Sequence, residues 1–462
     1  MRCSVVIPCH DGAELTRACL VSLLQQVPSP PSEVLLVDNA SRDGTAQLGS
    51  LDPRIRVLRQ THNLGFAAGV NVGIRAAASD LVLILNNDTQ AATGMLAELQ
   101  RVLLSSPSIG AVAPVSNHVK GPARIPVGAL GQDAAGRESI AAALADLPTA
   151  AQDVDTLAGL ALLLDRRTLD RIGLFDERFG HGNFEDDDLS LRLRLHGLRL
   201  VIARRAFLHH EGHATFRALG LDLRAEITRR RAQFCAKWRW DPAGRATIAA
   251  LHGDVEGAAT AAREARATWP NWPDADWHLA RWHSNCGEPH RAATCLQRLL
   301  SRCPHHSEAA LALTLALLAA GDRSAGERQA ATTATQFHLE PPQQAALLDA
   351  LGEADYHGAR YDGARRHFLA ALELLPGDGR LQNWLGVTEL AAGDLQAAEL
   401  ALRAATDAGF ALAHTNLGIC RYRLGDTAGA EACFTRAVEL LPDDATAHRN
   451  LAAVRAVSSP RS

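Results

Sequence analysis

Four short polar clusters, three of them beside an apolar run, could do chemistry in this sequence. Asp38-Asn39 follows Leu35-Leu36-Val37, and Asn86-Asn87-Asp88 follows Leu81-Val82-Leu83-Ile84-Leu85. Four consecutive acids, Glu185-Asp186-Asp187-Asp188, follow Gly182-Asn183-Phe184, and His209-His210 with His213 follow Ala206-Phe207-Leu208. Carboxylates can hold a divalent cation or take a proton, and an imidazole can ligate a metal. Each cluster also has a plainer explanation. Asp38 and Asn39 suit a turn that caps a helix, Asn86 to Asp88 suits an Asx turn, and acids at a helix start are favoured by the dipole. A histidine is often only packed. Cys9 has the type of a nucleophile, but nothing in the sequence suggests a base for it, so it reads as structural. No cysteine lies near the histidines, which speaks against a zinc site of the His/Cys type.

The elements that must position these residues can be read from periodicity. Short apolar runs at 4–8, 33–38, 54–59 and 81–85 read as strands, and Leu15–Gln25, Ala67–Ala78 and Leu96–Leu104 carry helical spacing. Alternation of strand and helix implies crossovers and a predominantly parallel or mixed sheet covered on both faces. Residues 121–155 are rich in Gly, Ala, Pro and Asp and read as a long excursion, helical only near Ile140–Leu147. Order returns at 157–164, then comes a helix at Asp186–His196, a strand at Leu198–Ile202 and a closing helix with Arg229-Arg230-Arg231, Phe234, Lys237 and Trp238. In Asn63-Leu64-Gly65-Phe66-Ala67-Ala68-Gly69-Val70-Asn71-Val72-Gly73 the glycines permit close approach to a ligand at a helix start, or simply tight helix packing.

From residue 239 the pattern becomes a repeat. A small pair is followed twelve residues later by Ala and twenty-four later by a helix-ending Pro: Leu417-Gly418, Ala430, Pro442, and Leu351-Gly352, Ala364, Pro376. Leu385-Gly386 and Ala398 form a unit in which Phe410 replaces the Pro, while Leu279-Ala280 with Pro304 and Ala246 with Pro270 mark earlier units. Starts at 239, 273, 345, 379 and 411 leave one degenerate unit near 307–344. The small residues let paired helices approach closely, and Pro cannot continue the helical ladder. The pattern resembles tetratricopeptide repeats, about six of them.

Composition bounds the rest. The 462 residues include 47% hydrophobic ones, enough for sizeable cores, and a net charge of −4 argues against a nucleic-acid binder. Nine cysteines without a C-x-x-C pair read as reduced thiols of a cytoplasmic protein. Neither a signal core nor a membrane span is evident, though contact with a membrane surface stays open.

Across residues 3–238 the ordered motifs resemble the inverting glycosyltransferases of family 2, which have a GT-A fold. The resemblance implies a domain at 1–238 followed by repeats at 239–456. It implies a hexosyl transfer from a nucleoside diphosphate sugar, of the UDP or dTDP type, to a hydroxyl acceptor on a protein or a surface glycan of bacterial kind. Pro8 and His10 match the nucleotide-side strand and turn, and Asp38, beside Asn39, matches the acid that takes the ring N–H of the base. Asn63, Gly65 and Asn71 fall in the second motif. Asn86, Asn87 and Asp88 match the Asp-x-Asp motif that binds Mg²⁺ or Mn²⁺, with Asn86 in place of the first acid. Gly159 matches a small-residue strand beneath the sugar. Asp186 matches the general base with Glu185 beside it, Asp188 reads as a structural partner of Arg192, and His210 matches a histidine at the metal. The repeats would recruit a peptide or protein in their groove. The alternative implied by Asn86 is a degenerate transferase that acts as a scaffold through its repeats.

Overall fold

The computed structural model describes residues 2–128, 133–180, 182–212 and 222–458. Among the described residues nine strands make one sheet: β1 Cys3–Cys9, β2 Glu33–Asp38, β3 Ile55–Val57, β4 Leu81–Leu85, β5 Thr89–Ala91, β6 Ile109–Ser116, β7 Ala151–Val154, β8 Ala161–Asp165 and β9 Arg199–His210. Their order is β3-β2-β1-β4-β8-β6-β9-β5, with β7 also on β9. The helices among them are α1 Ala13–Leu24, α2 Phe66–Ala76, α3 Met95–Leu103, α4 Ala134–Ala145, α5 Arg166–Ile172 and α6 Glu185–Leu195.

Side-chain alternation along a strand sends neighbouring residues to opposite faces, so strands that are apolar throughout need cover on both. Leu81, Leu83 and Leu85 of β4 enter one core with Cys19, Leu20 and Leu23 of α1 and Met95, Leu96 and Leu99 of α3. Val82 and Ile84 enter the other with Val70 and Ile74 of α2, Leu169 of α5, and Leu189 and Leu193 of α6. Each fully buried Leu or Ile contributes about 1.5–3 kcal/mol relative to exposure.

The expected parallel arrangement holds for β3-β2-β1-β4. Beyond β4 the sheet is mixed: β8 runs antiparallel to β4 and β6, β9 is parallel to β6, and β5 and β7 are antiparallel to β9. Strand direction here follows from where the connections run, which periodicity does not encode. The stretch read as an excursion holds α4 and, past it, β7, whose partner β9 lies some fifty residues on. The strand expected at 198–202 is the first part of β9, which continues to His210.

By packing, the chain divides into one unit of Met1–Gly287 with Thr294–Ala309, and another of Glu288–Ala293 with Ala310–Ser462. After Leu223–Trp238 come helix pairs at 242–251 and 255–268, 274–285 and 289–302, 307–319 and 323–336, 341–357 and 361–374, 379–392 and 395–407, and 413–423 and 427–440, then a helix at 445–458. Within the second unit a β-carbon on Gly352, Gly386 or Gly418 would run into Phe368, Leu402 or Phe434 of the paired helix. That is why a small residue recurs there. No helix among the described residues is long and apolar enough to cross a membrane.

Candidate active site

Parallel strands β2, β1 and β4 end on the same edge, and ligands in such sheets lie off the carboxyl ends of the strands. That edge collects Asp38 and Asn39 after β2, His10 after β1, and Asn86 to Asp88 after β4. Antiparallel pairing brings the later motifs to them. Leu85 pairs with Ala161, and Asn86 N–H donates to the Leu160 carbonyl at 2.9 Å, so Gly159 lies beside the end of β4. Thr89 pairs with His210, and Glu211 N–H donates to the Asp88 carbonyl at 3.0 Å.

Asp38 is fully buried. One carboxylate oxygen, Oδ1, accepts from Ser41 N–H at 2.8 Å. The other, Oδ2, has no hydrogen-bond partner among the described residues, though Arg59 approaches it at 3.4 Å. Asn39 gives its side-chain N–H to the Gly65 carbonyl at 3.3 Å, and its own carbonyl meets His10 Nδ1 at 2.7 Å. A β-carbon on Gly69 would press on Asn39 and Pro8. One on Gly73 would collide with Val6 and Val37, so that glycine serves helix–strand packing.

Other residues of the second motif do local work. Asn63 Oδ1 accepts from Gly65 N–H at 2.9 Å, which closes the turn into α2 with Gly65 at φ 82°. Asn71 spends its amide on the Phe175 backbone and on Glu177, at 2.9–3.0 Å. It fastens α2 to the segment that leads to the acidic cluster. Asn87 turns inward to the Thr16 hydroxyl at 2.9 Å. Cys9 is buried against the Val37 carbonyl, and burial pushes its thiol up, away from nucleophilic use.

His210 and Asp88 face each other, with Nε2 to Oδ1 at 3.3 Å. Nδ1 of His210 meets the His118 carbonyl at 2.7 Å, and a carbonyl only accepts, so Nδ1 carries the hydrogen. The lone pair of Nε2 then points at a carboxylate unless a proton or a cation lies between. Burial lowers the pKa of His210, yet the Asp88 carboxylate outweighs this and raises it above the ordinary value. A backbone bond that orients a ring nitrogen is the usual support of a metal-binding histidine. His209, one residue earlier, points to the other face and meets Glu211 at 3.2 Å. Strand alternation thus separates the two histidines. His213, Ala214, Thr215 and Phe216 lie outside the described residues. Among the described residues no group of three or more His, Cys, Asp or Glu is arranged to hold a cation.

The acidic cluster starts α6 after an unusual turn. Asn183 and Phe184 both have positive φ, near 70°, which costs energy in non-glycine residues and often marks a functional site. Asp186 Oδ2 accepts from Gly159 N–H at 2.8 Å. Glu185 is buried, with Oε2 lacking a partner. Burial, followed by the neighbouring Asp186 charge, raises Glu185 well above the carboxylate range, and the same two causes bring Asp187 to about 7. Burial raises Asp186 as well, while Gly159 N–H opposes it. Asp188 is a structural hub, held by Arg192 at 2.9 Å, Lys237 at 2.5 Å and the Trp238 indole N–H at 2.9 Å.

Sequence reasoning missed Asn117, which grips the His210 backbone through both its amide atoms at 2.8 and 3.1 Å. It missed Lys120, whose charge favours the ionised forms of Asp186 and Asp187. Both follow the apolar run Ile109–Val115, the same strand-end signal that marked Asp38 and Asp88.

Residues 4–129 match the family described as Glycosyl transferase family 2, and residues 350–411 and 411–444 match tetratricopeptide repeats. The chain carries a family 2 glycosyl transferase domain followed by tetratricopeptide repeats. The family 2 match spans Pro8 to Asp88 of the site, whereas Gly159, Asp186 and His210 lie beyond it. The O-antigen biosynthesis protein RfbC of Myxococcus xanthus is 30% identical over 221 residues, 45% of this chain and 17% of that one. The N-acetylglucosaminyl-diphospho-decaprenol L-rhamnosyltransferase of Mycobacterium tuberculosis is 28% identical over 241 residues, 46% of this chain and 77% of that one. Among solved structures, GalNAc-T7 with UDP, GalNAc and Mn²⁺ aligns with 45% of this chain and 43% of that chain, at 16% identity and a TM-score of 0.38.

Proposed function

We propose that the family 2 domain is an inverting glycosyltransferase that uses a UDP- or dTDP-type sugar donor and a hydroxyl acceptor. The observation that carries this reading is Asp186, held by Gly159 N–H beside the strand end that bears Asp88. Asp38 Oδ2, buried without a hydrogen-bond partner, suits the ring N–H of uracil or thymine. Asp186 takes the proton of the acceptor hydroxyl as that oxygen bonds to the anomeric carbon, and the bond from that carbon to the diphosphate breaks. One displacement inverts the centre. Asp88 and His210 would hold Mg²⁺ or Mn²⁺, which neutralises charge on the leaving diphosphate. Diphosphate oxygens and water would complete the set of ligands.

The two relatives' names favour a glycan acceptor, so we place the protein at the assembly of a surface glycan, with the repeats holding a partner protein. Nine free thiols fit a reducing, cytoplasmic setting. One observation, Asn86 where an acid is expected, favours a second reading: a transferase-like scaffold that acts through its repeats. Nucleoside diphosphate release from a panel of donor sugars with Mn²⁺ or Mg²⁺ separates the two. Release with one donor supports the enzyme, and none with any donor, acceptor extracts included, leaves the scaffold.

A further inference from the structure

We propose that the catalytic unit includes the first helical repeats, and that Asp274, at the start of the second one, positions the helix carrying Asp186. The inference rests on the reading of Asp186 as the base. Helix α6 is apolar on two sides. Leu189 and Leu193 pack toward the sheet, whereas Leu191 and Leu195 enter a different cluster with Phe179, Phe234, Trp238, Ala246, Ala262 and Trp272. A helix buried on both sides cannot stand at the edge of its domain. Its second cover comes from Phe179, from Phe234 and Trp238 of the helix before the repeats, and from residues 243–275, past the point where the repeat pattern begins.

Polar contacts follow the same route. Arg194, in the last turn of α6, is 1% exposed and donates through Nε to Asp274 at 2.6 Å, with Nη2 on the same carboxylate. Its Nη1 donates to the Val154 carbonyl at 3.3 Å, and Nη2 also reaches Asp155 at 3.3 Å. The second oxygen of Asp274 accepts from the Trp272 indole N–H at 3.0 Å. Trp272 is itself 1% exposed. Strand β7 is engaged from the same side: Asp153 N–H donates to the His305 carbonyl at 3.0 Å, and His305 N–H returns a bond to the Asp153 carboxylate at 2.8 Å. The outer edge of the sheet is therefore closed by residues around 303–306, and the packing unit runs to Ala309. Without Asp274 the buried Arg194 would be left with the longer pair to Asp155 at 3.3 Å, so Asp274 has leverage on α6 out of proportion to its distance along the chain.

Asp274→Asn in the full chain tests this. Displacing the base without touching the nucleotide side is expected to lower kcat about tenfold to a hundredfold with donor affinity unchanged. Amide exchange in 185–195 is expected to quicken on the order of tenfold. Unchanged kcat overturns the proposal, as does a fall in kcat and donor affinity in step with Tm, which marks general loosening. Should Asp274→Asn not fold, Trp272→Phe removes the indole N–H that holds Asp274, together with part of a buried ring, and is expected to shift both readouts the same way, and no shift in either overturns the proposal. A wild-type protein without turnover on any donor sinks the transferase reading instead. Exchange in α6 of Asp274→Asn then still decides the clamp, and unchanged protection overturns it.

Discussion

Gly159 N–H donates to Asp186 Oδ2 at 2.8 Å, and a β-carbon on Gly159 would sit 3.4 Å from that of Asp186. Twenty-seven residues apart in the chain, the two make one device: a backbone amide that fixes the orientation of the carboxylate and favours its ionised form against the burial that raises its pKa. Asp186→Asn keeps the shape and removes the base. Its kcat is expected to fall by about 10²–10⁴ while donor binding persists, read by single-turnover kinetics and calorimetry with the donor. Retained turnover would remove Asp186 from the role.

The Asp88–His210 pair gives a second expectation. His210→Ala removes the nitrogen that faces Asp88 at 3.3 Å. Activity is expected to drop on the order of 10²-fold, in proportion to lost charge stabilisation, and to require more metal to saturate. Chelation should abolish turnover in the wild type and Mn²⁺ should restore it. Turnover insensitive to both chelator and His210→Ala would exclude a cation there.

Asp38→Asn puts an N–H where a base N–H is expected to arrive. Loss of one hydrogen bond to a charged acceptor is worth about 1.5–3 kcal/mol, so donor KM should rise about 10–100-fold with kcat near wild type. A kcat change at constant KM would place Asp38 elsewhere in the chemistry.

The acidic cluster should also leave a mark on stability. Asp187 has its folded-state pKa raised to about 7 by burial and by Asp186. Between the unfolded value and 7 the folded state binds more protons than the unfolded one, so stability falls as pH rises through that window. Asp187→Asn removes the penalty. The variant should melt about 3 °C higher than wild type at pH 8 and show little gain at pH 4. An equal gain at both pH values would mean that charge at Asp187 is not the cause.

Much of this is legible in the sequence. β2 and β4 fell where the apolar runs lie, because a strand buried on both faces has to be apolar throughout, as Val34–Val37 and Leu81–Leu85 are. The repeats were legible because Gly352, Gly386 and Gly418 must be small against Phe368, Leu402 and Phe434. Each such requirement is met within one element or between neighbours, so local pattern records it. Asn71 shows where that record ends. It stands in a motif with a ligand-like look, yet its amide clamps Phe175 and Glu177 more than a hundred residues away.

The sequence by itself marked the candidates for the chemistry, Asp38, Asp88, Asp186 and His210, and the repeat that follows. Only the tertiary structure decided which of them meet. Antiparallel pairing of β8 with β4 put Gly159 beside Asn86, pairing of β9 with β5 chose His210 over His209, and the burial of α6 on both sides tied it to Asp274. Strand direction and long-range packing are properties of the whole chain closing on itself, and no window of sequence carries them.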